Sequence, residues 1–142
     1  MAPGEADLEI LLSRLEPILH PDTFVFVTVL NTPVSAASQD VQALQPQLLF
    51  QEAEGTTLVL VREKAIAHGF TDYVFPCRMI SLSVHSSLEA VGLIAAISAR
   101  LRDAGVSANV VSGFYHDHVF VPEGKEEVAM QVIGGMSRGD RD

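Results

Sequence analysis

Residues 79–93, MISLSVHSSLEAVGL, constrain the fold more than any other stretch, because a strand pattern and a helix pattern meet there across a short polar join. Ile80, Leu82 and Val84 alternate with Ser81, Ser83 and His85, the period of two that places apolar side chains on one face of a sheet. Beyond the join, Val91, Ile94, Ile97 and Leu101 recur at helical spacing, with Arg100 and Arg102 in the last turn and Gly105 after it. Ser86 and Glu89 have the S-x-x-E spacing of a capping box, which predicts a helix starting just after Ser86. A strand feeding a helix in this way aims free amides and the positive end of the helix dipole at whatever lies above the loop. A carboxylate suits that place.

The rest of the chain supplies similar pieces. Leu8, Leu11, Leu12 and Leu15 predict a short amphipathic helix ended by Pro17, and His20, Pro21 and Asp22 predict a turn. Residues 23–30 (TFVFVTVL) are aromatic and β-branched, hence a strand; residues 31–46 read as loop with one helical turn near Val41 and Leu44. Residues 47–52 and 57–61 predict a hairpin closed through Ala53, Glu54 and Gly55, with Gly55 at positive φ. A short helix over 62–68 stops at Gly69, and 71–76 form a link with a small edge strand at Val74 and Phe75. After the second helix, 107–114 predict a strand, 115–118 a turn or strand edge and 119–121 a return strand. The final helix opens near Glu123 and ends at Gly134 and Gly135.

The order strand, connection, strand, strand, helix thus occurs twice, with a true helix as the first connection only in the second copy. This predicts an α+β chain of two tandem ferredoxin-like βαββα units, antiparallel sheets with helices on one face, the first unit degenerate. The expected boundaries are 1–72, preceded by the short helix, then 73–136, then a disordered tail at 137–142. Each unit is marginal alone in a chain of 142 residues, so the sheets are expected to join or pack, within the chain or across a dimer.

A formal net charge of −9 opposes nucleic acid or anionic membrane as partner, because both require a basic surface. The single Cys77 has no partner for an internal disulfide, and there is neither an apolar run long enough to span a bilayer nor a basic-led signal segment. The expectation is a cytoplasmic protein without a cofactor.

The stretch ISLSVHSSLEAVGLIAAISARLRDAGVSANVVSGF resembles the ACT domain, a small regulatory module whose first strand leads through a loop to a helix marked by a Gly-Leu pair, here Gly92 and Leu93. Residues 105–109 resemble the family's entry into its second strand, and FVFVTV, LLFQEAEGTTLVLV and YHDHVFVP extend the likeness over residues 8–135. The whole is similar to small bacterial tandem ACT proteins. That pattern keeps residues up to about Val91 in the loop, later than the capping box does. A glycine inside a helix costs about 1 kcal/mol relative to alanine, so Gly92 fits better where backbone or ligand comes close. The resemblance implies a non-catalytic protein that binds an amino acid or related small ligand at an interface between ACT units, as a homo-oligomer, with the output passing through another protein.

On that reading Ser86, Ser87, Val91, Gly92 and Leu93 contact the ligand; on spacing alone they cap a helix and fill a core. Glu54 and Gly55 are a hairpin turn, or Glu54 holds the ammonium of a zwitterion. Asn109 and His116 bond locally or reach the ligand. Metal is the rival reading: His116 and His118 share a face if extended, and Asp117 or His85 could complete a site, although the spacing is not that of structural zinc. A nucleophilic enzyme lacks a signature around Cys77 or any serine. An interaction module recruiting a partner through sheet edges remains as a third class.

Overall fold

A computed structural model of the chain describes residues 4–30 and 41–139. Helix α1 spans Leu8–Arg14, and its first turn is capped by Asp7, whose carboxylate accepts from the Ile10 amide at 3.1 Å. Strand β1 (Pro17–Leu30) follows, then a single helical turn α2 (Val41–Leu44), β2 (Leu48–Gln51), β3 (Gly55–Val61) and α3 (Arg62–Ala67). The chain continues through β4 (Val74–Leu82), α4 (Leu93–Asp103), β5 (Asn109–Ser112), β6 (Asp117–Pro122) and α5 (Glu126–Ser137).

The elements gather into two compact units, Asp22–Cys77 and, as the second, residues up to Pro21 together with those from Arg78 onward. In the Asp22–Cys77 unit the strand order is β2-β3-β1-β4. β3 is antiparallel to both neighbours, with Phe24 opposite Val61 and Leu30 opposite Gly55 on β1. Val25, Val27, Leu58 and Leu60 point to one face, where Leu44 and Ala65 close the core. In the second unit the order is β1-β4-β6-β5, and just outside the two strands the Ser83 amide, after β4, donates to the Glu16 carbonyl, before β1, at 2.9 Å. Its core lies between the sheet residues Ile80, Leu82, Val119 and Val121 and the helical residues Leu11, Ile97 and Ile133. Each such side chain, once buried, contributes about 1.5–3 kcal/mol.

In each unit the order of strands is fourth, first, third, second, the ferredoxin-like arrangement read from the repeated β-x-β-β-α pattern. The fourth strand is supplied from a distance in sequence: Val74–Cys77 of β4 in one unit, Pro17–Pro21 of β1 in the other. Both strands therefore run longer than expected. β1 passes straight through the predicted turn at His20, Pro21 and Asp22, because a proline φ is compatible with extended chain and costs only one ladder donor. β4 absorbs the predicted link, with Phe75 at φ +55° bending its start.

Three further expectations are corrected. Gly55 does not have positive φ; it opens β3, where a Cβ would lie 2.6 Å from the Val29 carbonyl oxygen, so close strand approach is what demands glycine. α5 does not end at Gly134 and Gly135 but continues to Ser137. Ser137 is therefore helical, while residues 140–142 of the expected tail, like most of the predicted loop at 31–46, lie outside the described residues. The third correction is the start of α4, which belongs to the site. Among the described residues no helix is long and apolar enough to cross a membrane.

Candidate functional site

α4 begins at Leu93, not after Ser86, and its N-cap is Gly92 at φ +103°. The capping box does not form. Ser86 instead turns inward and donates through Oγ to Asp117 Oδ2 at 2.9 Å, both residues being only 6% exposed. Ser87 Oγ accepts from the Glu89 amide at 3.1 Å, a local turn that holds residues 87–90 out of the helix. Val91, expected on the apolar stripe, sits in this loop and is 84% exposed; the buried stripe is Leu93, Ile97 and Leu101. Gly92 is favoured by its left-handed φ, and a Cβ there would also press on Leu8 Cδ2 at 3.2 Å.

The loop is fastened from the N-terminal side. The Glu5 amide donates to the His85 carbonyl at 2.8 Å and the Ser87 amide donates to the Glu5 carbonyl at 2.7 Å, a single parallel bridge. The Ser86 amide is also taken, by the Val84 carbonyl at 3.0 Å. The serine amides that made this loop attractive as a ligand cradle are therefore already bonded. The amides of the first turn of α4 are different: the first intrahelical bond runs from Ala96 to Gly92, which leaves those of Leu93, Ile94 and Ala95 without intrahelical acceptors.

These first-turn residues, with Ser86, Ser87, Ser112 and Asp117, line a recess of about 120 Å³. Asp117 opens β6 opposite Ser112 of β5, and the pleat that sends Val119 and Val121 into the core sends Asp117 inward as well. The recess thus presents amide donors and a helix dipole on one side and a buried carboxylate on the other. Sequence reasoning placed Asp117 only as a spare metal ligand and missed Ser112 and Glu5. The signal for Asp117 was available in the alternation of Asp117, Val119 and Val121.

Of the remaining candidates, Asn109 is exposed at the far end of β5, opposite Phe120, and His116 is exposed in the turn beyond the recess. Glu54 and Gly55 belong to the Asp22–Cys77 unit, where the Glu52 amide donates to the Gly55 carbonyl at 2.9 Å and Glu54 is an exposed tip. The histidines diverge. His85 lies against Tyr115 and Phe114, with ring centroids 5.6 and 6.4 Å away, and its Nε2 is buried without a hydrogen-bond partner. His118 points to the opposite face of the sheet, where Ser81 Oγ lies 2.7 Å from its Nδ1 and 2.9 Å from His20 Nε2. One hydroxyl proton serves two rings, so one imidazole donates to Ser81 while the other accepts. Burial, then the neighbouring His116 and His20, lower the His118 pKa, against an upward pull from Asp117. Among the described residues no group of three or more His, Cys, Asp or Glu side chains is placed to hold a metal ion. Cys77 is buried, its Sγ donates to the Phe24 carbonyl at 3.5 Å, and burial pushes its pKa up to about 12, the reverse of an activated nucleophile.

Two overlapping matches to the ACT domain cover residues 3–78 and 74–133. Among solved structures, the chain is similar to a protein of unknown function from Vibrio cholerae described as a possible transport protein, with 42% identity, 92% of this chain and 95% of that one covered, and a TM-score of 0.79. A protein from Agrobacterium tumefaciens is similar at 15% identity, with 87% and 90% covered and a TM-score of 0.65. The regulatory subunit of aspartate kinase from Thermus flavus is similar at 11% identity, with 85% and 96% covered and a TM-score of 0.63. The last two likenesses concern the fold alone. No curated protein matches the chain.

Proposed function

Because the chain belongs to the ACT-domain family, we propose that it is a non-catalytic regulatory protein that binds an amino acid through the recess between Asp117 and the first turn of α4. ACT domains are regulatory modules that typically bind amino acids. The observation that carries the reading here is the pairing of opposite chemistries in one small space. The α-carboxylate lies on the amides of Leu93, Ile94 and Ala95, where hydrogen bonds and dipole both favour an anion. The α-ammonium faces Asp117, with the Ser112 hydroxyl beside it. Asp117 takes the role that sequence reasoning offered to Glu54.

A recess of about 120 Å³ is well below the roughly 300 Å³ of an ordinary ligand pocket, so one copy holds the charged end and leaves the side chain of the ligand outside. Val91 and Leu88, 84% and 65% exposed, stand in the adjoining loop and would meet that side chain or a second copy of the chain closing over it. A cytoplasmic homodimer that passes its signal to a separate protein follows from the same reading.

A calorimetric screen of the common amino acids against the intact chain tests this. One or more should bind saturably, and at a hundredfold excess over Kd should add about 2.7 kcal/mol of stability. Asp117→Asn should lose most of that response while remaining folded. A folded wild type that responds to no amino acid, or a variant that responds equally, would sink the reading.

A further inference from the structure

We propose that the hollow between α1 and the end of β4 is a second small-molecule site, separate from the recess at Asp117, and that it takes a short aliphatic monocarboxylate. The hollow measures about 340 Å³, nearly three times the recess and within the usual range for small-ligand sites. Ile10, Leu11 and Arg14 of α1 form one wall; Ser83, Val84 and His85 form the other; Gly4 and Glu5 close one side. The segment at Gly4 lies flush on the loop, since a Cβ there would stand 2.5 Å from the His85 carbonyl oxygen.

Among the described residues the charged side chains of this hollow have no partner. Arg14 makes no side-chain hydrogen bond or ion pair among the described residues, in a chain that carries 18 acidic and only 9 basic side chains. Glu5 lines the same hollow and is not paired with it. The guanidinium offers a planar fork of donors matched to a carboxylate, and the Ser83 hydroxyl, also without a side-chain partner, adds a further donor. Ile10, 37% exposed on the wall of the hollow, gives an aliphatic tail apolar surface to cover. Glu5 sets the selectivity, because a second carboxylate on the ligand would face it and be repelled.

Occupancy would be felt at the loop. Glu5 is the residue whose backbone bonds both His85 and Ser87, so a ligand that orders Glu5 also holds residues 85–87 in place.

The test is a titration of the isotopically labelled full chain with butanoate, followed by amide and Arg14 Nε–H chemical shifts, with succinate in parallel. Saturable shifts are expected at Glu5, Ser83, Val84 and Arg14, with Arg14→Gln weakening binding by about tenfold or more. Arg14 is exposed, and the spectrum of the variant itself reports its fold. The proposal is overturned if butanoate produces no saturable shift up to about 50 mM, if Arg14→Gln binds equally, or if the shifts confine themselves to residues 86–95. Succinate binding as tightly as butanoate would overturn the role given to Glu5. Arg14 lines the hollow and not the recess at Asp117, so the Arg14→Gln arm keeps this outcome separate from that of the amino-acid screen.

Discussion

The two hairpins that join the second and third strands of each unit occupy the same topological place and do different things. Between β2 and β3 the turn is closed by the Glu52 amide on the Gly55 carbonyl; between β5 and β6 it is closed by the Gly113 amide on the His116 carbonyl, both at 2.9 Å. The first residue of the third strand is Gly55 in one unit and Asp117 in the other, and both are buried. At Gly55 the β1 backbone comes so near that no side chain fits. At Asp117 the hairpin leaves room for a carboxylate and a serine hydroxyl to answer it. A duplicated fold thus carries buried polar chemistry at this position in one unit and strand packing in the other.

Breaking the comparison at its tightest point should have the largest effect. Gly55→Ala forces a Cβ against backbone that cannot rotate away, and should lower stability by about 3 kcal/mol in urea denaturation, without a specific effect on the response to amino acids or butanoate. Asp117→Ala should cost about 1–3 kcal/mol, because the buried Ser86 hydroxyl loses its acceptor, and should abolish the amino-acid response. If Gly55→Ala proved the milder of the two, close strand approach would not be what distinguishes the hairpins.

A pH series sharpens the contrast further. His118 has its folded pKa below the ordinary histidine value, so as pH falls the unfolded chain takes up a proton before the folded chain does. Its stabilising contribution is full above the unfolded pKa and is lost as pH falls toward the folded one. The urea midpoint should therefore drop as pH falls through the ordinary histidine pKa of about 6.5 and below it, and His118→Gln should flatten that drop. The hairpin of the Asp22–Cys77 unit carries no histidine and should contribute no such slope. The smallest effect belongs to Glu54→Gln at the exposed tip, which should stay within about 0.5 kcal/mol of wild type and leave amino-acid binding unaltered. A lost response in Glu54→Gln would restore that residue to the site.

Much of this was legible in the residues. The alternation in FVFVTVL and ISLSV, the helical stripe of Ile97 and Leu101, and the stop at Gly69 gave the repeated element order and with it the ferredoxin-like units. Gly92 and Leu93 located the strand-loop-helix that bears the recess. What failed did so for reasons that lie between elements. Ser86 and Glu89 have capping spacing, but a buried Asp117, 31 residues away, competes for the serine hydroxyl and wins. Val91 fits a helical stripe by count, yet the left-handed Gly92 starts the helix after it. Pro21 reads as a turn because local propensity cannot register a partner strand beside it.

The sequence by itself determined the two sets of elements, the acidic balance and the place of the loop, because periodicity, charge and glycine are properties of neighbouring residues. Only the tertiary structure decided that Asp117 lines the same recess as the first turn of α4, that the N-terminal segment at Glu5 fastens the loop, and that Pro17–Pro21 complete the sheet of the later unit. Those are pairings across tens of residues, fixed by which buried polar groups and strand edges must be satisfied, and no local window contains both partners.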